Sequence, residues 1–247
     1  MEPAEFNKIL HILPAQISII RITDQRSVDL ENLPIFLADH PHVSSLTFNV
    51  SYLEGQLNRT QTFPQSRVIE LSISCKAIAL SVILRLLSYF PSLRELSLDV
   101  SINTDADMSI LDEFFPLPLL RKATIKIPSP SSFTTADRLR IESIFASAPS
   151  LEYLTLGGEC LDRSIFQKIP RSVRHLGVWL HPNLPFSLLG PTSWKELLDD
   201  ETFLPDLRSF VVLAEVSLRF GTDLSIKYSQ VFDECKRDCV VDFQIVR

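Results

Sequence analysis

Glycine is scarce, with six residues in a chain of 247. The chain contains no G-x-G-x-x-G, no Walker loop, no G-x-S-x-G and no H-E-x-x-H. Those absences remove the usual phosphate cradles, the nucleophile elbow and the zinc-protease helix. Gly157-Gly158 follows an apolar stretch and, without a third glycine or a lysine, reads as a turn. Cysteine is also sparse: Cys75, Cys160, Cys235 and Cys239. Only the last two are close, and C-x-x-x-C is neither a redox nor a usual zinc spacing. On a helix Cys235 and Cys239 would share a face, but two further ligands are missing, so reduced structural thiols are expected. The histidine pairs His40/His42 and His175/His181 lack the cysteine or carboxylate company of a metal site. His40-Pro41-His42 reads instead as a cap at a helix-to-strand turn. Nothing here points to catalysis, a metal or a cofactor, and the chain is expected not to be an enzyme.

Long apolar runs are missing too. The richest, Ala77 to Leu87, falls short of the roughly 20 residues of a membrane-spanning helix. Met1 to Leu13 carries Glu2 and Glu5 in place of a signal-peptide core. With no secretory signal, the sequons at Asn49 and Asn58 are taken as chance matches, and a cytoplasmic or nuclear location is expected. Positive charge is in deficit: 24 Lys and Arg against 30 Asp and Glu give a net charge of −6. That balance argues against a nucleic-acid surface and against anionic membranes.

What the chain does contain is a repeat. Pro91-Ser92-Leu93-Arg94-Glu95-Leu96-Ser97-Leu98 spaces its leucines by three and then two. A strand would alternate throughout and a helix would follow i, i+3, i+4, i+7. Three-then-two fits a chain that turns into a short strand and buries one face, the strand segment of a leucine-rich repeat. First anchors fall at positions 17, 43, 68, 93, 120, 151, 173, 207 and 240, so the first four steps are 26, 25, 25 and 27 residues. Later steps drift from 22 to 34, and the repeats from Leu207 and Val240 are looser. Pro14, Pro41, Pro91, Pro118, Pro149 and Pro205 stand two or three residues ahead of six anchors. Proline ends the preceding helix and starts an extended segment.

The expected architecture is therefore one α/β domain over residues 1–247. It is a solenoid of about nine irregular leucine-rich repeats at 17–246, with a parallel sheet on the concave face and helices on the convex face. Residues 1–13 are expected to form an amphipathic capping helix, since a terminal repeat otherwise leaves its apolar side open. Return helices are expected at 30–39, 77–89, 108–115 and 136–146, the last started by Thr135-Ala136-Asp137 with Leu139, Ile144 and Phe145 turned inward. The insertions at 128–132 and 181–191 are expected to be surface loops, and such loops can carry function.

Side-chain alternation assigns the residues between anchors to the open face. Across repeats they form three lanes. Most members are small and polar, and three groups are not. Glu95 lies beside Lys122, and Asp99 beside Lys126, which predicts two cross-strand ion pairs. Tyr153, His175 and Trp179 form an amphipathic aromatic cluster, of the kind enriched in protein interfaces. Val211, Leu213 and Val246 make the last repeats apolar. The candidate protein-binding residues are thus Glu95, Asp99, Lys122, Lys126, Tyr153, His175 and Trp179, and the expected partner is another protein.

The phrases Phe90-Pro91-Ser92-Leu93-Arg94-Glu95-Leu96-Ser97-Leu98 and Ala148-Pro149-Ser150-Leu151-Glu152-Tyr153-Leu154-Thr155-Leu156 resemble the repeats of F-box/leucine-rich-repeat proteins, especially the irregular fungal sets. Leu204-Pro205-Asp206-Leu207-Arg208-Ser209-Phe210 is a weaker echo. The resemblance implies a substrate-recognition arm of a cullin-type ubiquitin ligase. A ligase scaffold subunit would be a partner only with an F-box in a longer chain, because the first strand here begins at Ile17 and leaves no room for a complete box. A freestanding adaptor or inhibitor, or a small-molecule receptor built on the inserted loops, is the alternative.

Overall fold

Among the described residues, seven repeats open on the same hydrogen bond. The backbone N–H groups of Val43, Leu93, Leu120, Leu151 and Leu207 donate to the carbonyls three residues earlier, at 2.9–3.2 Å. Pro41, Pro91, Pro118, Pro149 and Pro205 occupy the second position of these turns. That position wants the φ that proline supplies and makes no use of its missing N–H. Pro14 and Pro170 serve the first position in the turns closed by Ile17 and Val173. The prolines thus do more than stop helices: they set the turn that aims each first anchor inward.

The computed structural model describes residues 14, 16–31, 33–54, 66–102, 116–127, 134–158, 160–161, 163–180, 191–215, 228–231, 233–235 and 239–246. These include the strands β1 (Ile19–Asp29), β2 (Ser45–Glu54), β3 (Glu70–Ile78), β4 (Glu95–Ile102), β5 (Lys122–Ile127), β6 (Tyr153–Gly158), β7 (His175–Leu180), β8 (Ser209–Glu215) and β9 (Val240–Val246). They form one sheet in strict sequence order, with every neighbouring pair parallel. The described helices are α1 (Leu33–Asp39), α2 (Leu80–Ser88), α3 (Thr135–Ser147), the single turn α4 (Arg163–Phe166) and α5 (Pro191–Asp199). Parallel strands need such crossovers. The fold is an α/β leucine-rich-repeat solenoid. Strands stack about 4.8 Å apart, whereas packed helices need about 8–10 Å. The helical side must therefore be the longer, convex one.

The core lies between sheet and helices. The second and third anchors of the repeats from β2 to β8, Leu46 and Phe48 through Phe210 and Val212, are at most 2 % exposed. Apolar faces of the helices close over them: Leu80, Ile83, Leu84, Leu86 and Leu87 on α2, and Trp194 and Leu198 on α5. Trp194 packs edge-on to Phe166 and tilted against Phe210, with ring centroids 5.0 and 5.1 Å apart. His40 behaves as the expected cap. It is buried, stacks on Phe36 and lies with Nδ1 3.0 Å from the Phe36 carbonyl, so Nδ1–H donates there.

Several expectations need correction. The ninth repeat is slipped by two residues: Phe210 pairs with Val241 and Val212 with Phe243. Val240, expected as a buried anchor, is 67 % exposed. Val240 and Val241 are both apolar and β9 follows plain alternation, so the three-then-two spacing had no unique phase there. Gly157 and Gly158 belong to β6, with only Gly158 at positive φ (72°). Cys235 and Cys239 do not share a helix; Cys239 lies in a bend. Helix α3 is capped by Thr134, not Thr135, and Leu139 is 43 % exposed. The helices expected at 1–13 and 108–115 and the insertion at 128–132 lie outside the described residues. So does the insertion at 181–191 except Pro191, which opens α5. Among the described residues no helix is long and apolar enough to cross a membrane.

Candidate functional site

Register fixes what each open-face residue meets. The first lane runs Ile19, Ser45, Glu70, Glu95, Lys122, Tyr153, His175, Ser209, Val240. The second is a floor of small groups from Thr47 to Gly177, including Ser72, Ser97, Thr124 and Thr155. The third contains Asn49, Ser74, Asp99, Lys126, Gly157, Trp179, Leu213 and Gln244. All seven candidate residues therefore lie on one face, on four consecutive strands.

Of the two expected ion pairs one forms. Lys122 Nζ is 3.2 Å from Glu95 Oε2, with both side chains more than half exposed. At that exposure the pair contributes about 0–1 kcal/mol. Asp99 and Lys126 are register partners but make no ion pair. Lys126 reaches the other way, across β6, and places Nζ 3.4 Å from the centre of the Trp179 ring. Gly157 makes this possible. A Cβ there would lie 2.9 Å from the Trp179 Cβ and 3.3 Å from the Lys126 Cγ. Lysine and indole thus meet over a residue that has no side chain, two strands apart. Such a contact contributes about 0.5–1 kcal/mol at an exposed site.

Tyr153 and His175 stack nearly parallel, with ring centroids 4.4 Å apart and 5° between planes. Tyr153 is 46 % exposed. Stacking fixes both rings in the absence of a partner, so less side-chain entropy remains to be lost on binding. Small groups keep the surroundings low: a Cβ at Gly177 would sit 2.7 Å from the Thr155 hydroxyl. Toward β3 and β4 the face becomes a shallow depression of about 220 Å³, lined by Ser72 and Ser97 together with Glu70, Glu95 and Lys122. Toward β8 it becomes apolar through Val211 and Leu213, both half-buried. The slip of β9 adds exposed Val240 to this end and pairs Val246 with Glu215.

The arrangement offers hydrogen bonds, charge and aromatic surface. Among the described residues no group of three His, Cys, Asp or Glu side chains is placed to hold a metal ion. The residue that the repeat pattern missed is Gly157. Its signal was available: position 157 is the third-lane member between Lys126 and Trp179, where a glycine leaves room for its neighbours. No protein-family model matches the chain, and no curated protein matches it.

Proposed function

We propose that the chain is a non-catalytic protein-recognition module that binds through its concave sheet face. The observation that carries this reading is the pair of aromatic contacts on the open face, exposed Tyr153 on half-buried His175 of the next repeat and Lys126 on Trp179 across β6. Tyr and Trp dominate interface energetics because they bury large areas with few rotatable bonds. Here they stand on a floor of small residues, with a charged rim on one side and an apolar rim on the other.

Within this class the repeat phrases around Leu93 and Leu151 favour a substrate-recognition arm similar to those of F-box/leucine-rich-repeat receptors of cullin-type ubiquitin ligases. A freestanding adaptor or inhibitor is the competing version. Affinity capture from a native lysate tests both, comparing wild type with Tyr153→Ala/Trp179→Ala. A protein retained by wild type and lost from the variant supports concave-face recognition. Co-capture of ligase subunits, unaffected by the substitutions, supports the receptor version. Identical captures from the two proteins would remove the concave face as the contact.

A further inference from the structure

The residue after the first anchor lies at the sheet's entry edge, where its carbonyl accepts from two N–H groups of the next repeat. Arg94 accepts from Arg121 and Lys122, Arg121 from Glu152 and Tyr153, and Arg174 from Arg208 and Ser209. Four of these successive edge positions, on the repeats of β4, β5, β7 and β8, are Arg94, Arg121, Arg174 and Arg208. Arg67 and Arg171 join them from the adjoining turns. All six are exposed, and among the described residues none forms an ion pair. Two carboxylates share the edge, half-buried Glu152 just before β6 and exposed Asp206. The chain as a whole carries −6, so this concentration of one sign runs against its overall charge.

Neighbouring like charges raise the energy of the free protein, and a ligand of opposite sign relieves it. The bases at these positions are all arginine. Arginine's planar fork engages carboxylates two bonds at a time. From β4 to β8 the row spans about 19 Å at the strand spacing, which an extended segment of about six residues covers. A groove of about 440 Å³ continues the strip past Arg94 to Arg67, with Ser44 and Ser92 hydroxyls and Leu119 in its wall. A nucleic acid fits less well. Its backbone would run on past the row, and the net negative charge of the chain opposes a long polyanion.

We propose that this arginine edge docks an extended, carboxylate-rich segment of a partner protein. The proposal rests on the protein-recognition reading and adds the chemistry of the partner. The test is fluorescence anisotropy on the full chain with a labelled hexaglutamate peptide. Binding should weaken as salt is added. It should fall by about tenfold or more in Arg94→Glu/Arg121→Glu and in Arg174→Glu/Arg208→Glu, with Arg94→Gln/Arg121→Gln intermediate. Tyr153→Ala/Trp179→Ala should bind hexaglutamate like wild type. Thermal melts matching wild type identify charge, not folding, as the cause. Equal binding by wild type and the charge-reversal variants overturns the proposal, as does tighter binding of a single-stranded oligothymidylate than of the peptide. If wild type ignores hexaglutamate yet still captures a protein that Tyr153→Ala/Trp179→Ala loses, the edge proposal falls and concave-face recognition stands.

Discussion

At Gly157 a missing methyl group decides which partner Lys126 takes. The energies of an ion pair and a cation–π contact open to water are both about 1 kcal/mol, and Lys126 and Trp179 are half-buried, so geometry selects between them. Asp99 is the nearer in register, but the gap at Gly157 lets the lysine stem lie across β6 and reach Trp179. Gly157→Ala should push the two apart, because the added Cβ would stand 2.9 Å from the Trp179 Cβ. Overpacking of this kind costs about 1–3 kcal/mol. Fluorescence of Trp179 in a Trp194→Phe background reads the change: the indole should become more accessible to a soluble quencher. Unchanged quenching would show that Trp179 is held by something other than this contact. Alternation alone put Lys126 and Trp179 on one face of the sequence. Which way the lysine turns depends on reach and free space across three strands, and the sequence carries that only as the glycine between them.

Among the elements, α3 departs furthest from a simple amphipathic pattern. Apolar spacing turns Leu139 inward, yet the buried positions are Asp137, Arg140, Ile141, Ile144, Phe145 and Ser147. Arg140 is fully buried, and its Nη1 lies 3.1 Å from Asp137 Oδ1. The other Asp137 oxygen accepts from the Thr134 backbone N–H and hydroxyl, and Thr134 Oγ1 accepts in turn from the Asp137 N–H. One carboxylate thus completes the capping box and neutralises a core guanidinium. Periodicity read from hydrophobicity has no place for an arginine in a core, so this arrangement was not legible in the sequence. The anchor leucines and turn prolines were, because each repeat states them again. Asp137→Ala should cost about 3–5 kcal/mol, since it takes the carboxylate partner from a buried charge and removes the cap. Asp137→Ala combined with Arg140→Leu should recover a large part of that loss. Urea denaturation of the two single variants and the double measures it; additive losses would show that the two residues act independently.

Over the whole molecule, stability is a sum of repeats and the contacts between neighbours, so a change at one end acts there first. Near the C-terminal end Tyr228 is 1 % exposed and stacks on Phe243 of β9, with ring centroids 5.0 Å apart and 21° between planes. Burial pushes its phenol up to about 12. In the unfolded chain a tyrosine ionises near pH 10. Below that pH the phenol is neutral in both states and its burial is fully compatible with folding. As pH rises from about 10 toward 12, the unfolded chain loses the proton first, and folding stability falls. The loss attributable to Tyr228 reaches about 2–3 kcal/mol at completion. The thiols of buried Cys75 and half-buried Cys235 are also pushed up, chiefly by desolvation, and Lys195 is raised, chiefly by its hydrogen bond to Asp199. For each of these the folded value again exceeds the unfolded one, so all contribute losses of the same sign as pH rises. A comparison with Tyr228→Phe isolates the phenol. Urea midpoints measured from pH 9 to 12 should decline more steeply for wild type than for the variant, with the difference confined to the region above about pH 10. Parallel declines would mean that the phenol ionises in the folded array as easily as in the unfolded chain, and that the packing of Tyr228 on β9 does not hold it away from water.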